Sequence, residues 1–142
     1  MDATDLNYQI IDHTADLGIV VKGVDVKDVF VRAAYAMTDL MVKADMSKKG
    51  TRRKIFVEGG DFPDLMVRWL GEILYLFNGE HLLVSAIEMS SISPSRLRST
   101  LTVAPLRKGH YEILREIKAV TYHQISVKRL DDEWEARIIF DI

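Results

Sequence analysis

LGIVVKGVDVKDVFVRAAYAMTDLMV, Leu17 to Val42, changes periodicity once, and that change decides the class of fold. Leu17 to Lys22 is a short run rich in Ile and Val, the composition of a strand, and Gly23 ends it. Asp25 then offers an N-cap, with Asp28 three residues on in the place of a capping box. From there Val26, Val29, Phe30, Ala33, Ala34, Met37, Leu40 and Met41 recur at the spacing of one buried helical face. The segment predicts a helix from about Val26 to Val42, with its methionines as core filler.

A second unit of the same kind follows. Ile55-Phe56-Val57 leads to Gly59-Gly60, and Asp61-Phe62-Pro63-Asp64 is a helix start: an Asp cap, Pro in the first turn, and an acid favoured by the helix dipole. Leu65, Met66, Trp69, Leu70, Ile73, Leu74 and Phe77 keep the helical stripe, and Asn78-Gly79 supplies a stop signal. Gly71 inside this helix suggests close packing at that point.

From Leu82 onward the period is two. Leu82 to Met89 predicts a strand, Ser90 to Ser95 a turn, and Arg96 to Val103 a half-buried strand that alternates polar residues with Leu97, Ser99, Leu101 and Val103. Leu106 to Arg115 reads as a loop. Ile117 to Val127 predicts one strand, with His123 and the other odd-numbered residues on one face and Lys118 and Tyr122 on the opposite face. Asp131-Asp132 is a turn, and Trp134 to Asp141 is the last strand. Two long helices packed on a largely antiparallel sheet of about seven strands make an α+β fold. At 142 residues, with no internal repeat or linker, one domain spanning 1–142 is expected.

Composition removes several functions. The absence of cysteine excludes disulfides, thiolate zinc sites and a cysteine nucleophile. A net charge of −2 gives no global attraction to nucleic acid or acidic membrane. The acidic start Met1 to Asp5 is unlike a secretory signal, and no apolar run is long enough to span a bilayer, so a cytoplasmic location without membrane contact is expected. There is no glycine-rich phosphate loop, nucleophile elbow or H-E-x-x-H. The dense basic run, Lys48, Lys49, Arg52, Arg53 and Lys54, lacks interleaved aromatics, and a solvated strand entry explains it more simply than an RNA contact.

Acidic chemistry concentrates at two places. Asp12-His13-Thr14-Ala15-Asp16 sets two carboxylates between apolar runs. In an extended strand these would stand roughly 13 Å apart. In a turn they converge, and the spacing leaves open a metal site or a corner whose aspartates cap backbone amides. The chain ends Ile139-Phe140-Asp141-Ile142, which brings the Asp141 side chain and the Ile142 α-carboxylate to one end of a strand. Joined to Asp12 and Asp16, with His13 as the one nitrogen, these hard donors favour Ca²⁺ or Mg²⁺ over zinc.

The Asp12 to Asp16 pentapeptide, Trp69-Leu70 with Leu74-Tyr75-Leu76-Phe77, Lys118 to His123, and the terminal Ile139 to Ile142 together resemble the archease family, in order and over nearly the whole chain. The resemblance implies a non-catalytic accessory factor of an RtcB-type RNA ligase. Such a ligase joins 3′-phosphate or cyclic-phosphate ends to 5′-hydroxyl ends in tRNA splicing and RNA repair. It guanylylates its own histidine with GTP and Mn²⁺, and the accessory factor promotes that step and repeated turnover, meeting tRNA indirectly through the ligase. The resemblance further implies a divalent cation, Ca²⁺ before Mg²⁺ or Mn²⁺, held by Asp16, Asp141, the Ile142 carboxylate and Asp12. His13, Lys118 and Tyr122 are candidates for contact with the partner or its nucleotide. Two alternatives stand beside this: a chaperone-like modulator of a tRNA cytosine-5 methyltransferase, and a small metal-dependent hydrolase using Asp12, Asp16 and His13.

Overall fold

The computed structural model describes residues 6–12, 16–45 and 49–142, with the backbone alone at Asp12. The chain runs β1 (Tyr8–Asp12), β2 (Asp16–Gly23), α1 (Val26–Met41), β3 (Val42–Ala44), β4 (Thr51–Glu58), α2 (Phe62–Glu80), β5 (Leu82–Ser93), β6 (Arg96–Pro105), β7 (Tyr111–Ile113), β8 (Ala119–Val120), β9 (Ser126–Leu130) and β10 (Glu133–Asp141). It is α+β, and all strand pairings among the described residues are antiparallel. One sheet has the order β1-β2-β10, with β8 and β9 both along the far edge of β10. A second has the order β4-β6-β5, and β3 pairs with β7. Among the described residues the strands number ten rather than about seven, because β3 and β7 are additional three-residue pieces and one expected strand is interrupted.

Both helices begin with the same chemistry. Asp25 Oδ1 accepts from the Asp28 amide at 2.7 Å, and Asp61 Oδ1 from the Asp64 amide at 2.9 Å. Asp28 Oδ2 accepts from the Val24 amide and Asp64 Oδ2 from the Gly60 amide. Arg32 Nε and Arg68 Nε each donate to both oxygens of the aspartate one turn earlier. Gly23, Asp25, Asp28 and Arg32 therefore recur as Gly59, Asp61, Asp64 and Arg68, 36 positions later, a repeat of the junction alone. The glycines are required by close approach. A Cβ on Gly23 would lie 2.7 Å from the Val29 amide, and one on Gly59 would lie 3.0 Å from the Leu65 backbone.

The stripes named above bury as expected. Phe30, Met37, Leu65, Trp69 and Leu70 are fully inside, in one cluster that also takes Ile19 and Val21 of β2 and Ile138 and Phe140 of β10. Trp69 Nε1 donates to the Phe30 carbonyl at 3.0 Å, fixing α2 against α1 and satisfying the polar edge of a buried indole. No basic residue lies in the last turn of α1, but Arg115 reaches the Leu40 carbonyl at 2.9 Å and supplies a cation to the negative helix end. Neither helix is long and apolar enough to cross a membrane.

Three expectations need correction. Helix α2 does not stop at Asn78-Gly79 but runs to Glu80, with His81 as a left-handed C-cap at φ 55°. Asn78 instead donates from Nδ2 to the Ile117 carbonyl, and Gly79 makes room for the Tyr75 ring, 2.8 Å from where its Cβ would be. Strand β5 continues through Ser90 to Ser93, so its turn with β6 tightens to Pro94-Ser95. Gly71 is not a close-packing point, since nothing lies within 4 Å of where its Cβ would be. Gly71→Ala should therefore stabilise the fold by about 1 kcal/mol, read as a raised urea midpoint at unchanged slope; a lowered midpoint would show a packing constraint there.

Candidate functional site

Strands β2 and β10 pair in continuous register from Trp134 opposite Gly23 to Asp141 opposite Asp16. The interior of this ladder is apolar, with Ile19, Ile138 and Phe140 fully buried, so a slip by one residue would turn the buried face to water. The same register sets the two aspartates directly opposite each other at the sheet end. Cross-strand partners of this kind have Cβ atoms roughly 5 Å apart, and like charges so placed repel. Neither side chain has a hydrogen bond or ion pair among the described residues.

The neighbours add a backbone frame. Asp141 lies opposite Ala119 on its other side, and its carbonyl accepts from the Lys118 amide at 2.7 Å. The Lys118 side chain is exposed and makes no ion pair with either aspartate. Ile142 follows Asp141 directly and is 40% exposed, which brings its backbone to the same sheet end while Ile139 and Phe140 stay buried. Asp12 ends β1 opposite Leu17, one residue along β2 from Asp16, so its backbone also reaches this end. His13 lies outside the described residues. Among the described residues no three His, Asp or Glu side chains gather as a metal cluster. The described side chains at this end that could serve as oxygen donors are those of Asp16 and Asp141. Donors of this kind suit a hard divalent ion.

The expected strand from Ile117 to Val127 is two strands, β8 and β9, on one edge of β10. Val120 lies opposite Phe140 and Val127 opposite Ala136, a shift of three residues in register. The surplus is taken up by a turn in which the Ile125 amide donates to the Tyr122 carbonyl and Gln124 adopts φ 53°. An odd shift reverses parity, so Val120 and Val127 both pack on the core although their numbers predict opposite faces. His123 is consequently an exposed turn residue rather than a strand residue, and Lys118 and Tyr122 share no strand face.

Tyr122 instead belongs to the start of α2. Its hydroxyl donates to Asp64 Oδ1 at 2.7 Å, beside the Arg68 contact at 3.1 Å. The bond from Tyr122, then that from the Gly60 amide, holds the Asp64 carboxyl below its ordinary range, while the same bond raises the Tyr122 phenol. Sequence reading saw Asp64 only as a dipole-favoured acid; the signal that it could anchor another element was the repeated junction, where Asp28 performs the local role without a tyrosine. A cavity of about 680 Å³ lies elsewhere, between β3, β4, β5 and β6, and shares no residue with the carboxylate end.

The Asp64 shift has a sign in pH. A carboxyl whose folded pKa is depressed contributes stability above its unfolded pKa, near 4, and loses it as pH falls through the lower folded value. In Tyr122→Phe the Asp64 carboxyl should titrate closer to its ordinary value by carbon-13 NMR, and less stability should be lost on acidification below about pH 4. An unchanged Asp64 titration would show that Tyr122 is not its main partner.

Comparison with known proteins agrees with this frame. Residues 8–142 match the model of the Archease protein family. The chain is 33% identical to protein archease of Archaeoglobus fulgidus, over 96% of this chain and 100% of that protein. It is 32% identical to that of Thermoplasma acidophilum, over 100% of both. Among solved structures, Methanobacterium thermoautotrophicum protein 1598 superposes with a TM-score of 0.73 at 27% identity, covering 95% of this chain and 98% of that one. A Thermotoga maritima archease described as a possible chaperone shares the fold, with a TM-score of 0.64 at 18% identity over 93% of this chain and 94% of that one. The chain belongs to the archease family.

Proposed function

We propose that this protein is a non-catalytic activator of an RtcB-type RNA ligase, promoting guanylylation of the ligase and its multiple turnover in tRNA splicing and RNA repair. The observation that carries the reading is the opposition of Asp16 and Asp141 at a sheet end, two carboxylates that make no ion pair among the described residues. Asp16, Asp141, the Ile142 carboxylate and Asp12 hold one divalent cation, Ca²⁺ first and Mg²⁺ or Mn²⁺ as substitutes. That ion supplies positive charge where a nucleoside triphosphate must be neutralised for nucleotidyl transfer.

The chain's own residues do the positioning. The apolar register of β2 and β10 fixes where the carboxylates stand, and the Lys118 amide holds the backbone of Asp141. The exposed Lys118 side chain and the exposed Tyr122 ring are available to the ligase or its nucleotide, with the Tyr122 hydroxyl already committed to Asp64. His13 is kept as a contact candidate on sequence grounds. A cytoplasmic location follows from a tRNA-processing partner.

The second reading, a chaperone-like modulator of a tRNA cytosine-5 methyltransferase, draws on the exposed cations Arg52, Arg53 and Lys54 of β4 and on the description of the Thermotoga maritima relative. One experiment separates the two. Covalent guanylylation of the cognate ligase, with GTP and Mn²⁺, should accelerate with this protein at substoichiometric concentration. Asp16→Asn and Asp141→Asn should each remove most of the acceleration, while charge reversal at Arg53 should leave it in place. No acceleration by the wild-type chain would contradict the proposal.

A further inference from the structure

The sheet β4-β6-β5 has one face on the helices and one on solvent. On β6, Leu97, Ser99, Leu101 and Val103 are buried, while Arg96 and Arg98 are exposed and Thr100 and Thr102 half-buried. Register carries that alternation across. Arg52 lies opposite Thr102, Lys54 opposite Thr100, Phe56 opposite Arg98 and Glu58 opposite Arg96. The outward face thus gathers Arg52, Lys54, Arg96 and Arg98 against the carboxylates Glu58 and Glu88, a local excess of cations in a chain whose net charge is −2.

Read along the chain, the basic run lacks aromatics. On the strand face that Arg52 and Lys54 share, the next outward residue is one. Phe56 is 47% exposed in line with Arg52 and Lys54, and the Arg98 guanidinium stands 4.6 Å from its ring centroid. An exposed phenylalanine in the middle of a cationic face gains nothing from the core. A guanidinium over an aromatic ring presents a flat cationic surface, on which a nucleobase stacks favourably. Alternate residues on β4 repeat at roughly 7 Å, close to the step between phosphates of an extended strand. Among the described residues only Arg52 of the four cations has a carboxylate partner, Glu88 at 3.1 Å, and both side chains of that pair are largely exposed. Such a pair contributes little and exchanges readily for a phosphate.

We infer that the outward face of the β4-β6-β5 sheet is a binding surface for single-stranded nucleic acid, with Arg52, Lys54 and Arg96 on phosphates and the Arg98-Phe56 pair as the base platform. The charge of the face selects a polyanion, and the stacked pair selects one with planar bases rather than an acidic protein. Helical RNA, with its bases already stacked, has no free base for the platform. The surface shares no residue with the Asp16 and Asp141 end, so it stands or falls apart from the ligase reading.

The test is fluorescence anisotropy of a labelled oligouridine of about 12 nucleotides, within the usual site size for such surfaces, titrated with the full chain between about 50 and 200 mM salt. Binding should weaken with salt at a logarithmic slope of about −2 to −3, the value for three to four neutralised phosphates on a single strand. Phe56→Ala should weaken binding by about fivefold to a hundredfold with the slope preserved, as loss of one stacked base predicts. Lys54→Gln should make the slope less steep by about 0.7. Lys54 is exposed on the surface strand, so that variant keeps the fold, and unfolding curves verify it for both. No binding at the lowest salt, equal competition by polyglutamate of matched charge, a preference for duplex, or wild-type affinity in Phe56→Ala would each overturn the assignment.

Discussion

The antiparallel ladder between β2 and β10 is the constraint on which the molecule depends. Its inner residues, Leu17, Ile19 and Val21 against Ala136, Ile138 and Phe140, are buried under the two helices, which makes register a matter of core energetics rather than of turn chemistry. The aspartates at its end inherit that register. Asp16 and Asp141 are 125 residues apart in sequence and make no bond to each other, yet they are opposed because apolar neighbours on both strands allow no other alignment. An unfavourable charge pair can persist at the sheet end because favourable burial elsewhere in the ladder over-determines it.

Much of this was legible in the chain. Helix starts at Asp25 and Asp61, the alternation from Arg96 to Val103 and the last strand all rest on local periodicity and capping, and the structure agrees with them. The joining of Asp141 to Asp16 rested on the shared chemistry of their carboxylates and on resemblance to a family, since no local signal links the two ends of a chain. What periodicity misjudged were places where tertiary contacts override it. The turn between Val120 and Ser126 inserts three residues into an edge strand, where an interruption disturbs one partner only, and so reverses the inferred faces. Asn78 looked like a helix stop because its side chain often is one, but here it bonds the Ile117 carbonyl and the helix continues.

Two surfaces of opposite character result. One is a pair of carboxylates at the end of one sheet; the other is a cationic face with a single aromatic on the second sheet. The repeated strand-to-helix junctions orient both. Glycine and the two aspartates set the angle at which α1 leaves β2 and α2 leaves β4, so each sheet presents its apolar face to a helix. The second junction has acquired a further role, since Asp64 binds Tyr122 and ties the edge segment beside Lys118 to α2. Phe56 follows the basic run by two residues, but its place over Arg98 was invisible to a linear reading because cross-strand pairing, and not sequence adjacency, brings the two together.

The most direct test of the central claim is a calorimetric titration of the metal-free protein with Ca²⁺, beside Asp16→Asn, Asp141→Asn and a form extended by a glycine at its C-terminus. The account predicts a single site in the unmodified chain and loss of measurable binding in both aspartate variants. The extended form should bind about tenfold or more weakly, since its terminal carboxylate is displaced. Calcium affinity unchanged in both aspartate variants would contradict the account, because the opposed carboxylates would then have no part in holding the ion.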